Sequence, residues 1–140
     1  MKINYLAVAA CIFVNMGLGM AWYTIFADAW MSGHGITMAQ IEANTSVAPY
    51  IMSVVAALAA GFVLSLLYQR MNITGWQDGA IAGAAIGSFM FFEIVASHLF
   101  SQKSLALGAL DGGYMFVLFV LDGALIGGWQ KKELRHTPSV

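Results

Sequence analysis

Four long apolar runs set the pattern of the chain, spanning about residues 3–23, 50–68, 79–100 and 113–129. A helix needs roughly 20 residues to cross the hydrocarbon core of a bilayer. The first three runs reach that length, and the fourth reaches it if Leu105–Leu110 extends it. None of them alternates apolar and polar residues with a period of two. In lipid the backbone must satisfy its own hydrogen bonds, which leaves only helices and closed barrels, and without strand alternation helices follow. The pattern therefore predicts an all-α fold, a four-transmembrane-helix bundle in one domain over 1–130 with a polar tail at 131–140.

The polar intervals refine this picture. Thr24–Pro49 is the long connection, and its Thr37-Met38-Ala39-Gln40 segment has the form of a capping box, which predicts a short helix from Met38 to about Thr45. Phe26, Trp30 and Met31 predict a second short stretch lying on the membrane surface. Such a loop reads as a structured lid rather than a slack linker. The two remaining connections are short, so helices two and three, and three and four, are expected to be antiparallel neighbours.

Composition agrees with lipid as the solvent. The chain is 60% hydrophobic and 9% charged, against about 25% charged in a typical soluble domain. Its formal charge is −1 with no basic tract, which argues against nucleic acid as a partner. Cys11 is the single cysteine, so neither an internal disulfide nor a Cys-x-x-Cys redox pair exists, and a buried core position is expected for it. Lys2, Arg70, Lys131, Lys132 and Arg135 fall on one side of the bundle and Lys103 alone on the other. By the positive-inside rule both termini are expected in the cytoplasm, and the long loop outside, in a bacterial inner membrane. Tyr and Trp residues near both ends of the runs fit interfacial belts.

Several short motifs carry a resemblance. Asn4-Tyr5 opens the first run and Gly19-x-x-Trp22-Tyr23 closes it; Trp30-Met31, Gly35-Ile36-Thr37, Asp111-Gly112-Gly113-Tyr114 and Gly123-x-x-x-Gly127 follow. The chain resembles a family of small bacterial four-helix membrane proteins catalogued as a domain of unknown function. The resemblance covers nearly the whole chain, is most specific in its first third, and implies fold and membrane location without implying an activity.

Candidate chemistry is sparse. Gly79, Gly83 and Gly87 form a narrow stripe on the third long helix, with Gly123 and Gly127 on the fourth and Gly17 and Gly19 on the first. Small residues let a second backbone approach closely, either inside the bundle or at a subunit interface. Glu93 and Asp122 are carboxylates within apolar runs, each costing roughly 2.5–3.5 kcal/mol at a helix centre on insertion scales. At a rise of about 1.5 Å per residue they fall at different depths, Glu93 in the outer half and Asp122 in the inner, so a carboxylate dyad is not expected. Asn15, at about the depth of Glu93, and Ser97, one turn beyond it, are expected to hydrogen-bond Glu93; Lys131 or Arg70 is expected to reach Asp122. His34, His98 and Asp111 fall on the outer side, but no His-x-x-x-His or similar spacing joins them, and neither a metal nor another cofactor is expected.

No nucleophile–base pair, phosphate loop or dinucleotide fingerprint is present, and a non-enzymatic role is expected. The leading expectation is an oligomeric assembly or accessory protein, bound to itself or to a larger membrane complex within the lipid bilayer. The alternative is a small transporter or channel-like protein with Glu93 in a polar pathway. An enzyme of lipid or quinone chemistry ranks last.

Overall fold

The computed structural model describes residues 3–129. The order of elements is α1 (Tyr5–Ile25), α2 (Ala27–His34), α3 (Met38–Ala43), α4 (Ala48–Met71), α5 (Trp76–Phe100) and α6 (Leu105–Gly128). α1, α4, α5 and α6 are each long and apolar enough to cross a membrane, with mean hydropathy between 1.6 and 2.3. The chain is therefore an all-helical, multi-pass membrane protein. The polar tail, Lys2, Lys131, Lys132 and Arg135 lie outside the described residues.

Local chemistry sets the helix ends. Asn4 caps α1 by accepting from the Leu6 amide, and its side-chain amide donates to the Trp129 carbonyl at 2.7 Å, tying the start of α1 to the end of α6. α2 stops at Gly35, whose positive φ of 70° lets the Gly35 and Ile36 amides turn back onto the last carbonyls. Thr37 and Gln40 form the expected reciprocal capping box of α3. Pro49 sits in the first turn of α4, where its missing N–H is harmless. Ser104 caps α6 through the Leu107 amide, so that helix begins at Leu105, and the stretch from 105 to 110 is helical as the length requirement demanded.

α5 and α6 form the tightest pair. A methyl group on Gly79 or Gly83 would fall on the carbonyl oxygen of Gly123 or Phe119, and one on Gly127 would meet the backbone of Gly75 and Gly79. The two backbones thus touch directly through small residues, as packing in lipid favours. Gly108 and Gly112 continue the contact toward the other end, against His98, Val95 and Phe91. Gly19 lies beside Tyr114, whereas nothing packs against Gly17.

α1 joins α4 to this pair. Ala7, Val8 and Cys11 are buried with Leu64, Tyr68 and Ile126 in one apolar cluster. The remaining helix faces are apolar and uncovered: Phe13, Ile81 and Phe100 are 79%, 69% and 91% exposed. In water that surface would drive aggregation; in lipid it is the solvated face. The outer turns of α4 and all of α3 stand free of the bundle.

The bundle has two distinct ends. At the terminus end lie Asn4, Trp129 and the turn from α4 to α5. At the loop end lie α2, α3 and the turn from α5 to α6, where Lys103 Nζ donates to the His34 carbonyl at 3.4 Å.

Candidate functional site

The densest polar group among the described residues sits at the loop end, where three helices converge on Asp111. His98, near the end of α5, has Nε2 3.0 Å from Asp111 Oδ2, and His34, the last residue of α2, has Nε2 3.5 Å from the same oxygen. Tyr23, near the end of α1, donates its hydroxyl to Asp111 Oδ1 at 3.0 Å. His98 Nδ1 lies 2.9 Å from the Ile94 carbonyl, one turn back on its own helix. The imidazoles and the carboxylate are partly buried, with side-chain exposures of 30% for His34, 17% for His98 and 15% for Asp111.

Each member is held from behind. Trp30 packs on the His34 ring with centroids 4.7 Å apart, and Tyr23 contacts both Trp30 and Tyr114. Gly33 lets α2 lie close on Leu107, which brings His34 over α6. Trp22 donates its indole N–H to the Leu110 carbonyl at 3.2 Å, fastening α1 to α6 just beside Asp111. The potential metal ligand atoms of His34, His98 and Asp111 all lie within 4.8 Å of one another. The expectation of no metal site rested on linear spacing, and the three residues come from three different helices. Tyr23, legible in the sequence as part of the Gly19-x-x-Trp22-Tyr23 motif and as an interfacial aromatic, carries no signal there of a contact with Asp111. The signal that could have found the group is Asp111 itself, a carboxylate inside an apolar helix once α6 starts at Leu105.

A second polar group lies deep in the bundle. Asn15 Nδ2 donates to Asp122 Oδ2 at 3.1 Å and to the Cys11 carbonyl at 2.9 Å. Asp122 is 1% and Asn15 8% exposed. Asp122 Oδ1 has no hydrogen-bond partner among the described residues. The expected bond from Asn15 to Glu93 is thus corrected: the partner of Asn15 is Asp122. The reason is geometric. Side chains on a helix lean toward its N-terminus, and α1 and α6 run antiparallel, so Asn15 and Asp122 lean toward each other across a depth difference that counting residues treats as a separation. Arg70 is exposed and makes no ion pair with Asp122 among the described residues; Lys131 lies outside them.

Glu93 is exposed on α5, as is Ser97 one turn on, and among the described residues no hydrogen bond or ion pair reaches it. α5 commits its glycine face to α6, and Glu93 lies about 120° round the helix from Gly87, the nearest of those glycines in height. The carboxyl consequently points away from the bundle, among exposed Phe89, Phe92 and Phe100.

The family model described as "Protein of unknown function (DUF1761)" matches residues 6–127. No curated protein and no solved structure matches the chain.

Proposed function

We propose that this chain, which belongs to the DUF1761 family of proteins of unknown function, works as a homo-oligomeric component of a membrane assembly in the bacterial inner membrane, with both termini in the cytoplasm. Glu93 carries the reading. It lies about 7 Å from the middle of α5, within the hydrocarbon layer and on a lipid-facing surface. Ionisable residues at such depth nearly always face protein or water rather than lipid, because a carboxyl without a partner there is costly. A second copy meeting the same face supplies Glu93 and Ser97 as hydrogen-bonding partners, in the self-complementary way of a two-fold interface. The glycine stripe of α5 is occupied by α6, so the contact uses the Glu93 face instead. The cation asymmetry of the sequence supports the orientation, with Arg70 at the terminus end and Lys103 at the loop end.

Cross-linking tests the interface. In a Cys11→Ala background, Ser97→Cys is expected to form a disulfide-linked dimer on mild oxidation in membranes, and Glu93→Leu is expected to reduce that product several-fold while Glu93→Gln preserves it. A monomeric mass in nanodiscs with no Ser97→Cys product would overturn the reading; recovery of a different protein at that face would replace the second copy by a subunit of a larger complex.

The transporter or channel-like reading draws on the Asn15–Asp122 pair, a polar group buried inside the bundle. Its pathway would run between α1 and α6 past Asp122 rather than past Glu93, and ion flux through proteoliposomes, lost in Asp122→Ala, is the observation that would favour it.

A further inference from the structure

We propose that His34, His98 and Asp111 bind a divalent transition-metal ion of the Zn2+ type at the loop end of the bundle, on the extracytoplasmic face. Hydrogen-bonding arithmetic at His98 opens the argument. Its Nδ1 faces the Ile94 carbonyl at 2.9 Å, and a carbonyl only accepts, so the proton of a neutral ring belongs on Nδ1. Nε2 then turns its lone pair toward Asp111 Oδ2, 3.0 Å away, and an ionised carboxylate also only accepts. His34 brings a second imidazole nitrogen to the same point, with its Nε2 3.5 Å from Oδ2, and offers a third electron pair there when its own ring proton sits on Nδ1. A cation relieves this opposition: a proton on His98 does so for that pair alone, a metal ion for all three residues at once.

Two of the three ligand separations suit such an ion. Ligands about 2.0–2.1 Å from a tetrahedral Zn2+ are about 3.3 Å apart. The two nitrogen–oxygen distances, 3.0 and 3.5 Å, bracket that value, whereas the two imidazole nitrogens, within 4.8 Å of each other, would draw together as an ion bound. Two imidazoles and one carboxylate are the donors that borderline transition metals prefer, whereas Ca2+ and Mg2+ require oxygen ligands. Three protein ligands leave a fourth position to water.

The surroundings supply the orienting contacts that metal ligands need. His98 Nδ1 is fixed by the Ile94 carbonyl, and the second oxygen of Asp111 is fixed by the Tyr23 hydroxyl. Lys103 is the nearby cation, and its ammonium is drawn to the backbone carbonyl of His34 rather than to the carboxylate. α2, which Gly33 lets lie close on α6, carries the third ligand, so a bound ion would fasten the lid-like loop to the bundle.

The test uses the full chain in nanodiscs. Zn2+ titration is expected to show a single ion bound per chain, and Co2+ is expected to give the visible absorption of a low-coordinate, imidazole-ligated ion that Zn2+ displaces. His98→Gln and Asp111→Asn are expected to abolish that signal, and Tyr23→Phe to weaken binding by about ten-fold, in line with the loss of an outer-shell partner. His34→Gln, at the end of a short surface helix, provides a variant whose fold is expected to survive, checked by helicity and melting. Glu42→Gln, an exposed carboxylate on α3, is expected to bind like the parent. Binding that is absent, or equally strong in folded His34→Gln and His98→Gln, would overturn the proposal and leave the cluster as an imidazolium–carboxylate pair. Neither outcome depends on the oligomer, since His98 lies about 140° round α5 from Glu93.

Discussion

Asp122 is the residue whose surroundings depart furthest from what its place in the chain suggests. One oxygen accepts from Asn15 and the other meets no partner among the described residues. Asn15 uses both amide protons, on the Cys11 carbonyl and on Asp122. Removing the acceptor therefore orphans a buried N–H, at a cost of about 1–3 kcal/mol. Asp122→Ala is expected to lower unfolding stability in mixed micelles by that amount, whereas Asp122→Asn keeps an acceptor for Asn15 and is expected to stay within about 1 kcal/mol of the parent. Equal losses for the two variants would show that the Asn15 contact contributes little. At the loop end, single residues matter through their angles. Asp111 receives Tyr23 on one oxygen and two imidazoles on the other, and each arrives from a separate helix.

Among the elements, α5 and α6 behave as one unit. Their glycines place backbone on backbone, so added volume cannot be absorbed by a flexible side chain. Overpacking a close contact commonly costs about 1–3 kcal/mol, and here the obstructing atom is a carbonyl oxygen, which puts Gly83→Leu at or above the top of that range. Gly83→Leu is expected to destabilise the fold of the individual chain, seen as a lowered melting temperature together with loss of helicity. Gly17→Leu, at a position with open space around it, is expected to leave the melt unchanged. A normal melt for Gly83→Leu would contradict the packing of α5 on α6. α2 and α3 follow a different rule, in which short helices are defined by their caps: the capping box of Thr37 with Gln40 and the left-handed Gly35 set their limits almost independently of the bundle.

For the whole molecule, the decisive property is a thin interior wrapped in apolar surface. Few side chains are fully buried, while large ones such as Phe13 and Phe100 face outward. Such a chain is oriented by its cationic ends and its lipid-facing belts rather than by a core alone. In a Cys11→Ala background, cysteines at Thr45 and Ser101 are expected to react with a membrane-impermeant maleimide applied to intact spheroplasts, and a cysteine at Thr74 only after permeabilisation. The opposite pattern would reverse the orientation and would move the metal site to the cytoplasmic face.

The sequence by itself determined the four long apolar helices, the capped helix in the long loop and the family. These depend on local chemistry: apolar length against bilayer thickness, and side chains that cap the backbone three residues away. Glu93 and Asp122 were also legible as unusual residues, because a carboxylate in an apolar run stands out wherever it points. Only the tertiary structure decided their partners. Which face of α5 meets α6 left Glu93 outside, and the opposed lean of side chains on antiparallel α1 and α6 joined Asn15 to Asp122. The cluster of Tyr23, His34, His98 and Asp111 was illegible for the same reason. Its members are separated along the chain by whole helices, and no spacing rule applies to ligands that meet only after α1, α2, α5 and α6 have packed.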